Sequence, residues 1–541
     1  MTHPSSARRA GHPTEEGVCL NVAGPPRDGR HARRWLGVFA VLFILGLGVG
    51  WPGLDNGWFF DDLIAMRSYS LAEQEQGLTH TWNPDPGAIP AWRPLLTPTI
   101  DTLYSLFGED RAAHRVAMIA ALAAALTLFA AALAVVGVPP WLTVPAAALE
   151  LTAKNSVYAL TWITNGYQNF QAVAFGAALL AVALASRSRA PRHGLLVVAL
   201  VLWCITLLLK DQAVVLLPII AGLPIGARLI ADAGLAPGYR GILADLRTAV
   251  RATWRRRDLT WFVSSAVGVA ALDLVLRRVF VPSAPSELGQ HSLDQLGDQA
   301  RFVVEFAGDD RAPAAYLAVA ALAVAVVAAW PLLAGKRTDP LAANIWRIAL
   351  LAGCASLSAM AFALVKPRSD LVLYPLFLYA LFLCATASLV WRLVKPSWRV
   401  PAAIAAISVA AVSLTASIGA SREVQRAMSP WSLQTLDLNY QYLLGTWAHP
   451  LNRVSIPAGR RADELARLRA AGVNGYVGQQ AGETLLCAAR ERASRGLPQR
   501  LLVPSEYFLG EHGYDAYPEP DCGSIKRASS PIARRSHRGS R

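Results

Sequence analysis

Long apolar stretches separated by short polar ones dominate the pattern along this chain. Windows long enough to approach a hydrocarbon core of about 30 Å fall at 35–52, 116–136, 140–153, 166–185, 195–209, 212–230, 259–280, 313–334, 345–365, 371–390 and 400–420. They predict an all-α polytopic membrane protein with about 11 transmembrane helices. The windows 140–153 and 195–209 are shorter than the roughly 20 residues of a straight crossing, so partial unwinding or re-entry is expected there. Two larger parts lie outside the spans. The first is the Trp-, Asp- and Pro-rich stretch 53–115, and the second begins at Ser421. In the second, 462–472 and 481–495 have helical periodicity and Leu501-Leu502-Val503 reads as a short strand, so 421–523 is expected to be a small α/β region. The remaining 524–541 has the Ser-, Arg- and Lys-rich composition of a disordered tail. The organisation is therefore a basic segment 1–34, a membrane domain 35–420 that includes the loop 53–115, and the two C-terminal parts.

Composition supports this reading. Hydrophobic residues make up 54% and charged residues 16%, against about 45–50% and 25% in soluble domains, and mean hydropathy is +0.34. A soluble enzyme and a disordered chain are both disfavoured. The net charge of +14 would suggest nucleic acid if it formed one patch, but it does not. Segments 1–34, 186–194, 228–258, 335–347 and 391–399 hold 22 Lys/Arg and 7 Asp/Glu, while the rest of the chain up to 420 holds 12 and 19. Positive loops face the cytoplasm. The amino terminus is thus expected inside and the carboxyl terminus outside, with no nucleic-acid partner. The Ala- and Arg-rich composition places the protein in a bacterial inner membrane, with 53–115 and the tail in the periplasm. Arg33 and Arg34 precede the first span, but Trp51-Pro52-Gly53-Leu54-Asp55 shows no small-x-small cleavage pattern, so that span reads as a retained anchor. The six cysteines have no zinc-ligand spacing. Cys487 and Cys522, both in the exported tail, are either a disulfide or two thiols.

Candidate chemistry concentrates in the first exported loop. Asn56-Gly57-Trp58-Phe59-Phe60-Asp61-Asp62-Leu63 places two carboxylates beside an aromatic stretch. Adjacent acids against apolar neighbours suit a general base with a raised pKa; the alternative is that Asp61 caps a helix running to about Gln76. Lys210 is expected at the exported end of its span, either meeting a lipid phosphate or snorkelling beside Asp211. Arg368 lies in another exported turn, where a guanidinium suits phosphate but would also suit a plain polar turn. Glu150 falls inside a short span, where a carboxylate is costly. Asp273 and Arg277 stand four apart and are expected to neutralise each other. Trp residues near span ends fit an interfacial belt.

The order of these motifs resembles a known family. An acidic pair soon after the first span is followed by Trp92-Arg93-Pro94-Leu95, by Tyr104-Ser105-Leu106-Phe107-Gly108, and by His114 just before the second span. Together they resemble the GT-C membrane glycosyltransferases, in particular the protein O-mannosyltransferase-like and TMTC-like branch. The resemblance runs with gaps from about Trp51 to Tyr374. Lys210-Asp211-Gln212-Ala213 with Leu217-Pro218 resembles the family's Lys-Glu-x-Ala…Pro segment, with Asp for Glu, and Arg368 with Tyr374-Pro375 resembles its Arg…Tyr-x-Pro segment. Residues 152–166 depart from it, with Lys154 and Asn165 where many relatives carry His-Pro…Glu and Arg-Asp.

The resemblance implies a GT-C-like fold and a polyprenyl-phosphate sugar donor. It further implies transfer to a glycan, lipid or protein hydroxyl on the periplasmic face, with inversion at the anomeric carbon. It gives Asp61 and Asp62 the catalytic places, and Lys210, Arg368 and Arg93 the donor phosphate. Lys154, Asn165, Asp211, Tyr374 and His114 are further candidate substrate contacts. No cofactor is required by these residues, no metal ligands are assigned, and a divalent metal is left open. The competing readings are a transporter or flippase of lipid-linked sugars and a non-catalytic membrane scaffold.

Overall fold

The computed structural model describes residues 29–54, 69–80, 92–108, 110–153, 156, 160, 163, 166–188, 190–231, 239–281, 313–333, 340–362, 373–394, 396–401 and scattered positions to 422. The described residues are helical, with no strand among them. The helices are α1 (Gly29–Gly50), α2 (Leu71–Thr79), α3 (Leu96–Phe107), α4 (Arg111–Val136), α5 (Pro140–Thr152), α6 (Tyr167–Arg187) and α7 (His193–Leu209). They continue with α8 (Leu217–Ala231), α9 (Tyr239–Arg255), α10 (Arg257–Phe280), α11 (Pro313–Leu333), α12 (Pro340–Phe362) and α13 (Leu373–Leu393). Ten of the expected spans thus appear as helices near the expected places. Seven helices among the described residues are long and apolar enough to cross a membrane, and two shorter apolar helices, His193–Leu209 and Tyr316–Leu332, accompany them.

The shortness expected of 140–153 and one departure from expectation both have clear causes. Helix α5 has 13 residues and, at about 1.5 Å per residue, reaches only about two thirds of a bilayer core. Pro139 precedes it and Pro145 lies inside it, where a proline forfeits a helix hydrogen bond. The segment 228–258, taken above as a basic loop, contains the helix α9, because its arginines and leucines recur at helical spacing. The expected span 400–420, the α/β region 421–523 with Cys487 and Cys522, and the tail 524–541 lie wholly or mostly outside the described residues.

Helix ends follow local chemistry. Ser70 caps α2 in a capping box with Glu73, so Ser70 and not Asp61 caps the helix that contains Gln76. Asp110 accepts from Ala113 N–H at the start of α4. Gly137 ends α4 at φ 107°, its N–H bonded to the Leu133 and Ala134 carbonyls, a backbone conformation that favours glycine.

Helix α4 is the packing centre, pressed between α1, α5 and α6. Small residues permit the closest approaches. A Cβ on Gly176 of α6 would stand 2.9 Å from Leu128 Cβ and from the Phe129 ring, and a Cβ on Gly46 of α1 would stand 2.7 Å from Ile119. Phe129, Phe175, Trp203 and Phe377 fill the space between α4, α6, α7 and α13. Helices α12 and α13 pack on each other, and α13 returns to α5, which closes the bundle.

Arginines fasten both ends of this bundle. At the end where α1 finishes, Arg115 donates to the Leu54 carbonyl at 3.0 Å. Arg277, near the end of α10, holds Asp273 through two hydrogen bonds of 2.7 and 3.0 Å, the expected i,i+4 pair. It also donates to the carbonyls of Trp92 at 2.7 Å and Leu207 at 2.8 Å. At the opposite end Arg256 donates to the carbonyls of Ala185, Ser186 and Ser188 while paired with Asp258. There Arg347 pairs with Asp245 at 2.6 Å and reaches the Leu229 carbonyl.

Two outcomes follow. Gly176→Val should lower Tm in detergent, since overpacking costs about 1–3 kcal/mol; an unchanged melting curve would mean that α4 and α6 are not in this contact. Arg277→Met should destabilise by about 3–5 kcal/mol, because it removes the guanidinium paired with the buried Asp273 and the donors to the Trp92 and Leu207 carbonyls. Asp273→Asn/Arg277→Met should recover part of that loss by removing the stranded charge, while the Trp92 segment stays detached and is cut faster by protease than in the parent. Full protection of that segment in the double variant would show that Arg277 does not tether it.

Candidate active site

The candidate site is built at the bundle end where α1 finishes. Helix α7 stops there because Lys210 turns extended, at φ −153° and ψ 133°, before a 3-10 turn over Asp211–Leu216. The carbonyls of the last turn of a helix have no partner inside it, and here each served carbonyl is reached from another element. Gln171 of α6 donates to the carbonyls of Thr206 at 3.1 Å and Lys210 at 3.4 Å. Arg277 takes that of Leu207. Leu95 N–H donates to that of Leu208 at 3.2 Å.

This last bond docks the Trp92-Arg93-Pro94-Leu95 segment directly on the end of α7. Trp92 is buried against Phe280, with ring centroids 5.4 Å apart, and lies under the Arg277 guanidinium at 5.6 Å. Its indole N–H donates to the Leu78 carbonyl at 2.8 Å, which ties in α2. Arg93, half-buried, is two residues from Leu95, and Lys210 is two residues from Leu208. Two of the expected phosphate-binding cations, 117 positions apart in sequence, are therefore brought to one helix end. Lys210 is itself largely buried, at 7% exposure, and its ammonium donates to Gln168 Oε1 at 3.5 Å.

The head of α6 lines the other side of Lys210. Gln168, Asn169 and Gln171 are all buried, and Asn169 donates to the Met118 carbonyl at 3.1 Å. Sequence reasoning passed over these amides, although three of them within four residues at the start of an apolar span are a readable signal of a polar buried patch. It passed over Arg115 as well. In the last turn of α5, Glu150 is fully buried, with neither carboxylate oxygen hydrogen-bonded among the described residues. Ser156 donates to its backbone carbonyl at 2.6 Å.

His114 lies buried in the first turn of α4, its Nε2 3.0 Å from the Gly108 carbonyl and its ring edge-on to Phe107 at 5.3 Å. In this place it closes the turn between α3 and α4. Asp211 and Tyr374 are described only in their backbone, the first in the turn after Lys210 and the second in the first turn of α13. Asp61, Asp62, Lys154, Asn165 and Arg368 lie outside the described residues. Among the described residues no group of three His, Cys, Asp or Glu side chains is placed to hold a metal ion.

No protein-family model matches the chain, and no curated protein does. Solved structures are similar to it at low identity. The archaeal oligosaccharyltransferase AglB from Archaeoglobus fulgidus, in complex with an inhibitory peptide and a dolichol-phosphate, is 12% identical at a TM-score of 0.42, over 80% of this chain and 61% of that one. The Archaeoglobus fulgidus oligosaccharyltransferase complex with Zn and sulfate is 12% identical at 0.39, over 78% and 57%. ArnT from Cupriavidus metallidurans, bound to undecaprenyl phosphate, is 16% identical at 0.34, over 94% and 77%. The chain thus spans about three fifths of the length of the oligosaccharyltransferases.

Proposed function

We propose that the chain is a membrane glycosyltransferase of the GT-C kind, transferring a sugar from a polyprenyl-phosphate-linked donor to an acceptor hydroxyl. The observation that carries the reading is the docking of the Arg93 segment on the Lys210 end of α7. This brings the Arg93 segment to the helix end where Lys210 meets the buried amides of α6, and in this reading a lipid phosphate binds there with the polyprenyl tail in the bilayer.

In this reading the acceptor oxygen forms the new bond to the sugar's anomeric carbon as the bond from that carbon to the phosphate oxygen breaks. The acceptor proton passes to a carboxylate of the Asp61-Asp62 pair, Asp61 being the base. The bonding electrons leave with the lipid phosphate. Lys210, Arg93 and Arg368 stabilise the charge that gathers there, an effect that grows toward the transition state. Attack from the face opposite the departing phosphate inverts the anomeric centre. Lys154, Asn165, Asp211, Tyr374 and His114 complete the candidate substrate contacts that the resemblance implies. The site faces the periplasm of a bacterial inner membrane, because the basic segments gather at the other end of the bundle. A glycan, lipid or protein supplies the hydroxyl.

The decisive experiment is titration of lipid-linked sugar with purified variants in nanodiscs. Asp61→Asn should reduce turnover by about 10²- to 10⁴-fold, the usual share of a general base, with Tm unchanged. Lys210→Gln should raise the donor concentration needed and lower kcat/KM by roughly ten- to a hundredfold, from a charged hydrogen bond of about 1.5–3 kcal/mol. Normal donor dependence in well-folded Lys210→Gln would remove the lysine from the site, and normal turnover in Asp61→Asn would remove the base. Orientation is checked separately with reporter fusions after Ser421, where alkaline phosphatase should be active and a cytoplasmic fluorescent reporter dark. The reverse pattern would put the proposed site on the wrong face.

A further inference from the structure

Helix α9 has no role in the proposed reaction, yet its surface is sharply divided. It connects two membrane-length helices, α8 and α10, and packs against both. Asp245 pairs with Arg347 in the third turn of α12, which ties the helix to that span. Ala249 and Thr253 form its buried strip. Beside that strip run Leu243, Leu246 and Trp254, left 57%, 39% and 53% exposed. Next to these run Arg247, Arg251 and Arg255, spaced four apart and all exposed. None of the three arginines has an ion-pair partner among the described residues.

Like charges four apart on a helix repel one another, and exposed leucine and tryptophan beside them gain nothing from water. Both costs disappear at one kind of surface, an anionic bilayer interface, where the apolar strip sinks to the acyl boundary and the basic strip meets headgroups. The exposed Trp261, in the second turn of α10, continues the apolar strip at the level where indoles favour the interface. We infer that α9 is an interfacial helix whose Arg247, Arg251 and Arg255 bind the phosphates of anionic lipids. The leaflet is the cytoplasmic one, an assignment that rests on the orientation proposed above; the interfacial placement itself does not.

The test uses the full-length protein in nanodiscs of phosphatidylcholine with and without phosphatidylglycerol. Spin labels are placed at Leu243→Cys or Thr248→Cys after replacement of the native cysteines. The label at 243 should meet dissolved oxygen more readily than a water-soluble nickel chelate, and the label at 248 should show the reverse. Chelate access to both would place α9 in water and overturn the inference. Shielding of both from either reagent would mean that a protein partner covers the helix, which overturns it as well.

A second measurement addresses the charge, through the phosphatidylglycerol retained around purified protein extracted from mixed vesicles. Near a membrane surface each arginine favours anionic lipid about fivefold, so Arg247→Gln/Arg251→Gln/Arg255→Gln should lose the enrichment that the parent shows. Equal enrichment in both would refute the arginine role. The reporter fusions after Ser421 move independently of either measurement, so an error in orientation is told apart from an error in the placement of α9.

Discussion

A helix that ends inside a low-dielectric bundle leaves its last carbonyls without partners, and in a bilayer each unserved group costs several kcal/mol. In this protein arginine side chains from other parts of the chain meet that demand. Arg277 serves Leu207 near the end of α7, Arg256 serves Ala185 and Ser186 near the end of α6, and Arg347 serves Leu229 near the end of α8. A cation at a helix C-terminus is also favoured by the helix dipole. Asp273, Asp258 and Asp245 complete each of these three guanidiniums with a carboxylate.

The consequence for the site is positional. Because Arg277 holds both Leu207 and Trp92, the end of α7 and the loop that follows α1 are fastened by one side chain. Gln171 and Leu95 take further carbonyls of the same turn. Lys210 can then leave the helix in an extended conformation while the carbonyls of Thr206, Leu207 and Leu208 keep partners. A lysine at 7% exposure would be expensive in apolar surroundings. The Gln168 oxygen and the amide-rich head of α6 provide the polar neighbourhood that makes this placement tolerable.

Small residues set the other constraint. Lipid tails are as apolar as leucine, so helices in a membrane associate through close packing rather than through exclusion of water. The Gly176 contact between α6 and α4, and the Gly46 contact between α1 and α4, allow the approach that gives α4 its central position. The start of α4, with Arg115 and His114, is where the first loop is anchored to the bundle.

Length and apolarity along the chain determined the spans, because a hydrocarbon core demands continuous hydrophobic stretches whatever the neighbours are. The same local rule made the Asp273–Arg277 pair legible, since four residues on a helix are adjacent in any fold. It did not reveal where the remaining donors of Arg277 go, because Trp92 lies 185 positions away and Leu207 lies 70. Lys210 and Arg93 were legible as candidates from charge beside apolar sequence and from the resemblance of their motifs; their meeting at one helix end was a matter of tertiary docking through Leu95. Helix α9 was hidden for a different reason. Its charges read as a loop when counted, and only the burial of Ala249 and Thr253 shows which side packs on the bundle and which strips of leucine and arginine stay exposed. Local pattern thus decided what each segment is, while long-range hydrogen bonds to unserved carbonyls decided which segments meet.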